Sequence, residues 1–356
     1  GWTHTLSQEQ ADTMARLLKG TALLLGGGLV ALGAVWGWAA MAPPAALPAD
    51  VIIVIPAGTS VTEAADLLAR EGVIRSALGF RLRAAWQGVS HRLQAGEYLF
   101  AEAQAPAEVL ERLVAGDVLL HPVTVPEGLT LRQTVALLAE SRLEILGDLQ
   151  AAVRRPQLVA DFDAKAVDLE GYLFPDTYQL ARSTTAEVVV EAMVERFREV
   201  SADLLDGSPG LPAPPIRNIR SWVALASLVE KETAVAEERA HVAGVFLNRL
   251  RLGMPLQCDP TVAYALELAG IPQEGSLSRW LDLDHPYNTY TTTGLPPGPI
   301  ANPGRAALAA ALNPQPSQDL YFVADGRGGH RFSPSLAEHN RAVRLWRSHR
   351  AEDRTP

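Results

Sequence analysis

The sequence predicts an α+β protein with a single N-terminal transmembrane helix, a small α+β region and a larger mixed α/β domain. Two observations lead to this prediction. An uncharged run of 23 residues, Gly20–Ala42, lies close to the start of the chain. After it, a strand, a Pro-x-Gly turn and a capped amphipathic helix follow each other twice, and a helix-rich C-terminal half comes next.

The run Gly20–Ala42 is expected to cross a membrane once. Its 23 residues, at about 1.5 Å each, are long enough for a hydrocarbon core of roughly 30 Å. Arg16 and Lys19 precede the run, and no basic residue follows it closely. The positive-inside rule then predicts that residues 1–19 are cytoplasmic and that the rest of the chain is outside. The alternative is a cleaved signal peptide, whose apolar core is usually shorter than this run.

Residues 43–50 are a Pro/Ala linker, and two strand–turn–helix units define the next region, residues 51–145. The first unit consists of the strand Val51–Ile55, the turn Pro56–Gly58 and a helix capped by Ser60. The second consists of the strand Val123–Val125, the turn Pro126–Gly128 and a helix capped by Thr130. Internal duplication and shared turn-and-cap chemistry explain this repeat equally well.

Residues 146–215 are predicted to be a mainly helical connection that ends in a loop rich in Pro and Gly. The larger domain is predicted to occupy residues 216–356. It opens with a helix that carries Glu230, and a loop-rich stretch separates its first two helices from the remaining elements. The second of these helices is near Ala236–Arg251, and the elements after the loop-rich stretch are a helix near Arg305–Leu312, a strand at Leu320–Ala324 and a terminal helix.

Composition argues against several classes of function. The net charge of −9 argues against nucleic-acid binding, because neutralising phosphates requires basic surface. Cys258 is the single cysteine, so the chain has no intrachain disulfide framework. The sequence contains no metal-ligand cluster and no phosphate-binding glycine loop, and we expect neither a metal nor a cofactor.

Glu230 is the candidate catalytic residue. Partial burial would raise the pKa of its carboxyl and keep it protonated, as a general acid requires. Glu232 lies about 200° further around the helix axis, so the two are not expected to form the carboxylate pair of an ordinary glycosidase. The alternative is that Glu230 is a solvated surface glutamate. The neighbours of Glu230 one helical turn away are small and leave room for a ligand: Ala226, Ser227, Thr233 and Ala234.

Six segments, in order along the chain, carry a resemblance to one family. They are Leu169–Tyr178, Ala226–Thr233, Val245–Leu250, Leu256–Thr261, Tyr287–Pro299 and Tyr321–Gly326. Together they resemble the signatures of the endolytic murein transglycosylases, also called MltG or YceG-like proteins. One departure is Cys258, where this family is expected to carry a hydroxyl residue such as Thr.

The resemblance implies a lyase that is anchored in the inner membrane and cuts peptidoglycan glycan strands internally, outside the cytoplasm. It implies that residues 51–145 are LysM-like, that residues 216–356 are the catalytic domain and that Glu230 is the catalytic acid. A neutral Glu230 would protonate the leaving oxygen of the β-1,4 bond between MurNAc and GlcNAc. The same carboxylate would then accept the proton of the C6 hydroxyl as the 1,6-anhydro ring closes, so one acid suffices.

Four polar side chains in the two resembling loops are candidates for binding sugar around Glu230: Gln257, Asp259, Asn288 and Tyr290. Asn248 either contributes to substrate binding or holds its helix in place. Sugar hydroxyls pair with amides and hydroxyls, and sugar faces stack on aromatic rings, which favours this composition in a carbohydrate site. Taken alone, the long loop Tyr287–Gly298 is also typical of a turn-rich connection.

Two alternative functions remain open from the sequence. A peptidoglycan hydrolase would use Glu230 together with a second carboxylate, for which Asp259 is the candidate, to activate water. A non-catalytic wall-binding scaffold would rely on the two strand–turn–helix units instead. The family resemblance also suggests cell-wall synthases of the elongation or division machinery as partners.

Overall fold

A computed structural model describes residues 19, 21, 26–28, 30, 31, 33–35, 37, 38, 40–44, 46, 47, 49–208, 210, 211 and 214–352. Most of the predicted cytoplasmic segment and part of the predicted transmembrane helix Gly20–Ala42 lie outside the described residues. Among those described, no helix is both long and apolar enough to cross a membrane. The membrane anchor therefore stays a prediction.

The chain divides into two compact units, residues 1–120 and 121–356. Each unit combines helices with paired strands, which confirms the predicted α+β class. The two strand–turn–helix units of the sequence fall in different compact units, so the predicted region 51–145 is divided between them. The physical reason is that Val123, Val125 and Leu138 pack into the core of the larger unit.

Residues 51–115 of the first unit form two strands and three helices. Strands β1 and β2 pair antiparallel, with Val51 opposite Phe100 and Ile55 opposite Gly96. Ile53 and Ile55 face the core, whereas Ile52 is exposed, as the two-residue period of a strand requires. The likeness of this unit to LysM stays a prediction. Its elements are β1 Val51–Ile55, α1 Val61–Arg70, α2 Ala77–Gln87, β2 Gly96–Phe100 and α3 Pro106–Ala115.

Ser60 caps α1, as its sequence predicts. The Oγ atom of Ser60 accepts the Glu63 N–H at 3.2 Å, and the Glu63 carboxylate accepts the Ser60 N–H at 2.8 Å. This reciprocal pair is a capping box, which satisfies two amide groups that the first helical turn would leave open.

The larger unit is mainly helical and carries two short two-stranded sheets, β3 with β4 and β5 with β6. Helix α9 begins inside the stretch predicted to be a loop, because a proline in the first turn of a helix resembles a turn signal in the sequence. The elements are β3 Leu120–Thr124, α4 Leu131–Glu140, α5 Leu149–Ala152, β4 Thr177–Ala181, α6 Ala186–Asp206, α7 Ile219–Glu232, α8 Arg239–Arg251, α9 Asp259–Ala269, α10 Arg305–Leu312, β5 Tyr321–Ala324, β6 His330–Ser333 and α11 Leu336–Glu352.

Helix α7 lies in the core of the larger unit. Its residues Trp222–Val229 are all buried, and it packs against α8, α9 and α10. The side chain of Asn218 caps its start by accepting the Ser221 N–H at 2.9 Å. The helix ends at Glu232, and Thr233 is already extended with φ −138° and ψ 131°. Both acids of the predicted catalytic segment thus lie in the last turn of a rigid, buried helix.

Asn302 is a fully buried amide that ties together segments distant in the sequence. Its Oδ1 atom accepts the N–H groups of Gly171 at 2.9 Å and Leu173 at 3.1 Å. Its Nδ2 atom donates to the Leu129 carbonyl at 3.1 Å. Asn302 therefore fixes the segment that follows the Pro126–Gly128 turn next to the end of α7.

Candidate active site

The carboxyl of Glu230 is partly buried at the end of α7. Its Oε2 atom accepts the Gly304 N–H at 3.0 Å. Gly128, in the turn after β3, lies so close that a Cβ there would be 3.5 Å from the Glu230 Cγ atom. Burial, followed by the charge of Glu127, raises the pKa of Glu230, although the Gly304 N–H opposes the rise.

Glu127 is a second carboxylate beside Glu230, which the sequence analysis did not identify. It packs on Gly304, where a Cβ would come within 2.1 Å of the Glu127 Cδ atom. The neighbouring Lys231 donates to the Gly128 carbonyl at 3.0 Å. Lys231 thus ties the turn that carries Glu127 and Gly128 to the end of α7, and Glu230 lies beside this turn.

Glu232 lies where two cavities of the larger unit meet. Together with Asp259 it lines both of them, whereas Glu230 lines neither. The Tyr264 cavity has a volume of about 550 Å³ and is also lined by Thr130, Lys231, Tyr264 and Glu267. The Arg249 cavity has a volume of about 350 Å³ and is also lined by Arg249, Gln257, Tyr290, His330 and His339.

The pKa of Glu232 is raised, mainly because the surrounding protein removes water from its carboxyl. The negative charge of Asp259 adds to the rise, whereas the Cys258 thiol, His330 and Arg249 oppose it. Glu232 is also the last residue of α7, where the negative end of the helix dipole disfavours a carboxylate. The arrangement favours a carboxyl that keeps its proton on the wall of the two cavities.

Asp259 and Tyr290 form one hydrogen-bonded pair on the wall next to Glu232. The phenol of Tyr290 donates to the Asp259 Oδ1 atom at 2.5 Å. Burial and this hydrogen bond raise the pKa of Tyr290, so the phenol keeps its proton and remains a donor. Two of the sequence-predicted sugar-binding residues are thereby brought together.

Arg249 binds the loop that contains Leu256 and Gln257. Its Nε atom donates to the Leu320 carbonyl at 2.6 Å, and its Nη1 atom donates to the Leu256 carbonyl at 2.9 Å. Its guanidinium lies over the ring of Tyr321, 5.0 Å from the centroid. Gln257 has a strained, left-handed backbone with φ 52° and lines the Arg249 cavity.

The other two predicted sugar-binding residues use their amides internally. The Nδ2 atom of Asn288, which is fully buried, donates to the carbonyls of Leu281 at 2.9 Å and Leu283 at 2.8 Å. The Nδ2 atom of Asn248 donates to the carbonyl of Ser317 at 2.9 Å. Both amides order loops around the cavities in this structure, and their predicted contacts with sugar stay predictions.

The sequence matches the YceG-like family over residues 53–345, which is most of the chain. This chain belongs to the YceG-like family. The resemblance predicted from six segments is thereby confirmed.

Curated relatives of this YceG-like protein carry the name endolytic murein transglycosylase. The one from Bacillus subtilis (strain 168) is 33% identical over 318 residues, which cover 85% of this chain and 86% of the relative. The one from Streptococcus pneumoniae serotype 2 (strain D39) is 32% identical over 82% of this chain and only 58% of its own length. A crystal structure of a putative yceG-like protein from Listeria monocytogenes has a TM-score of 0.53, with 30% identity over 82% of this chain and 98% of that chain.

Sequence reasoning placed Glu230 and Glu232 of this family member on different sides of α7 and chose Glu230. The structure agrees that they point apart, but the side with the cavities is that of Glu232. Helical periodicity gives the angle between two side chains and not which of them faces open space. The catalytic role of Glu230 stays a prediction.

Proposed function

We propose that this YceG-like protein is an endolytic lytic transglycosylase of peptidoglycan, anchored in the inner membrane with its catalytic unit outside the cytoplasm. The names of its relatives support this activity. The observation that carries the proposal is that Glu232 and Asp259 stand at the junction of two cavities. An enzyme that cuts inside a polymer needs room for sugars on both sides of the scissile bond, which such a junction offers.

Glu232 is the better candidate for the general acid. The Glu230 carboxyl accepts the Gly304 N–H and its side chain lies beside Gly128, whereas Glu232 lines both cavities. Both pKa values are raised by burial, so protonation alone does not distinguish the two acids. Geometry favours Glu232, because a general acid must reach the proton-accepting oxygen of the substrate.

In the proposed reaction, the neutral Glu232 donates its proton to the glycosidic oxygen of the β-1,4 bond between MurNAc and GlcNAc. The C1–O bond breaks, and positive charge develops at C1 of MurNAc. The Glu232 carboxylate then accepts the proton of the MurNAc C6 hydroxyl while O6 bonds to C1. The enzyme returns to its starting protonation state, and the products are a 1,6-anhydro-MurNAc end and a free GlcNAc end.

Asp259 supports this sequence of proton transfers electrostatically. Its negative charge raises the pKa of Glu232. It would also stabilise positive charge that develops nearby in the transition state. The Tyr290 phenol fixes the Asp259 carboxylate in position. The N-acetyl group of the substrate is a further neighbour that would stabilise the charge at C1.

The test compares matched glutamine variants of the two acids. Purified Glu232→Gln, Glu230→Gln and the surface control Asp206→Asn are incubated with purified sacculi, and the soluble products are analysed by mass spectrometry. We expect Glu232→Gln to lower the release of 1,6-anhydro ends by about a thousandfold or more. The control should match the wild type, and unchanged circular dichroism should accompany all three.

Each outcome of this comparison has a separate meaning. Loss of activity in Glu230→Gln with an active Glu232→Gln variant would return the catalytic role to Glu230, as the sequence analysis predicts. Near wild-type release by both variants would contradict carboxyl catalysis at the end of α7. No release by the wild type itself would favour the scaffold function.

A hydrolase is the second candidate, because Asp259 provides a carboxylate beside Glu232. Asp259 would then activate water for attack on C1, and the products would carry reducing ends in place of anhydro ends. The hydrogen bond from Tyr290 occupies one oxygen of Asp259, which makes it a poorer base. Mass spectrometry separates the two reactions, because the reducing product is heavier by one water.

A contact with cell-wall synthases follows from the proposed place of cleavage. Glycan strands that are cut near the membrane must come from a glycan-polymerising enzyme in the same membrane. Photo-crosslinking in cells should recover such a synthase, and repeated recovery of none would contradict the partnership.

A further inference from the structure

Helix α2 of the first unit exposes a continuous apolar face. Leu78, Leu82 and Trp86 recur at four-residue intervals, so they lie in one row along the helix. Their exposed fractions are 41%, 54% and 80%. The other side of the helix packs into the core through Phe80 and Ala84, so the exposed row is not needed to hold α2 in its unit. Apolar rows of this kind commonly mark a binding surface.

The same segment is basic in an otherwise acidic protein. The stretch of residues 72–96 contains four arginines and no Asp or Glu, although the whole chain has a net charge of −9. Arg75 is exposed two residues before α2 begins. The Arg83 guanidinium lies over the ring of Trp86, 5.1 Å from its centroid. Apolar and cationic groups are thus interleaved on one short helix.

The end of the N-terminal apolar run lies directly against α2. A Cβ added at Gly79 would come within 2.7 Å of the Ala40 carbonyl oxygen, so the two backbones are in contact. Ala40 belongs to the uncharged run Gly20–Ala42 and is buried there. Trp38, two residues earlier, is 76% exposed. The apolar row of α2 therefore starts beside the residues at which the run ends.

We propose that the Leu78–Leu82–Trp86 row of α2 lies on the surface of an anionic lipid bilayer. The proposal rests on the membrane anchor of the proposed function, because a run that spans the bilayer would leave its last turn at the interface. Leu side chains and the Trp ring enter the boundary between headgroups and acyl chains, where Trp is enriched. The arginines stay at headgroup level and attract anionic phosphate, with their aliphatic stems along the apolar surface.

The basic charge of this surface and its contact with the apolar run favour lipid as its occupant over another protein. A protein partner would also cover an apolar row, but the absence of acidic residues from 72–96 matches a uniformly anionic surface. The contact between Gly79 and Ala40 places the row beside the segment that is proposed to enter the bilayer. In consequence, α2 would fix the orientation of the first unit on the membrane.

The test places an environment-sensitive fluorophore on the full-length chain in vesicles. Leu82→Cys on α2 and Asp66→Cys on α1, an exposed residue of the same unit, are each labelled with the dye NBD. The native Cys258 is buried, and labelled wild type gives its background. Vesicles contain phosphatidylcholine alone or mixed with phosphatidylglycerol, and a nitroxide-bearing lipid serves as the quencher.

We expect the lipid quencher to reduce emission from position 82 at least about twofold more than from position 66. The difference should increase with phosphatidylglycerol and decrease in a background with Arg75→Gln and Arg83→Gln. Equal quenching at both positions, in a chain that floats with the vesicles, would overturn the contact and leave the anchor intact. Failure to float would contradict the anchor and with it this proposal. Shielding of position 82 only after addition of a purified synthase would assign the row to a protein partner.

Discussion

The phenol of Tyr290 donates a hydrogen bond of 2.5 Å to the Oδ1 atom of Asp259. Asp259 shares the walls of both cavities with Glu232 and raises the pKa of its carboxyl. The three side chains are therefore coupled, because a change in the charge of the Tyr290–Asp259 pair changes the proton affinity of Glu232. This coupling is measurable as a shift of the pH profile.

The first prediction concerns Asp259→Asn. Removing its negative charge lowers the pKa of Glu232, so the general acid loses its proton at lower pH. The alkaline limb of the profile of kcat/KM against pH should therefore shift to lower pH. Assays of anhydro-sugar release across pH would measure the limb, with Asp206→Asn as the control. A limb that stays in place in Asp259→Asn would contradict the coupling.

The second prediction uses two substitutions at Cys258 with opposite effects. The Cys258 thiol interacts with Glu232 and lowers its pKa. A hydroxyl is a stronger donor than a thiol, so Cys258→Thr should move the alkaline limb to lower pH and retain activity. Cys258→Ala removes the donor and should move the limb to higher pH. Shifts in the same direction for both variants would indicate a packing effect without a hydrogen bond.

The accuracy of the sequence prediction differs between elements for physical reasons. Helix α10 was predicted at its observed bounds, because its alanine-rich sequence and following asparagine give clear start and stop signals. Helix α9 was missed, because Pro260 suggests a turn when its tertiary contacts are unknown. The cavities beside Glu232 depend on α7, α9 and β5 meeting in space. Periodicity within one helix does not predict which other elements pack around it.

The third prediction concerns stability and Asn302. In Asn302→Ala, the buried N–H groups of Gly171 and Leu173 lose their acceptor, and the Leu129 carbonyl loses a donor. Each unsatisfied buried group is costly, so the free energy of unfolding should fall by ~3 kcal/mol. Urea denaturation followed by circular dichroism would measure the change. Asn313→Ala, at the exposed end of α10, should change stability little. Equal effects at both positions would contradict the role of Asn302.

The last prediction follows from Glu170, which is buried between three parts of the larger unit. Its carboxyl oxygens accept the Leu131 N–H at 3.0 and 2.9 Å, and Oε2 also accepts the Tyr264 hydroxyl at 3.1 Å. Burial raises the pKa of Glu170 from 4.5 to about 8, with further rises from Asp168 and Glu267 and opposition from the two donors.

The sign of the pH dependence follows from the direction of this shift. The folded protein holds a proton on Glu170 that the unfolded chain releases above its ordinary pKa, so unfolding releases a proton between these values. The stabilisation is complete below pH 4.5 and is lost as the pH rises towards about 8. The free energy of unfolding should therefore fall by about 1.4 kcal/mol per pH unit within this window.

Urea denaturation at several pH values between about 5 and 9 would measure this slope. In Glu170→Gln the side chain has no proton to release, so the slope should become shallower by that amount. The control Glu144→Gln, at an exposed position of the same unit, should retain the wild-type slope. A slope that is unchanged in Glu170→Gln would show that Glu170 is ionised in the folded protein, held by its hydrogen bonds to Leu131 and Tyr264.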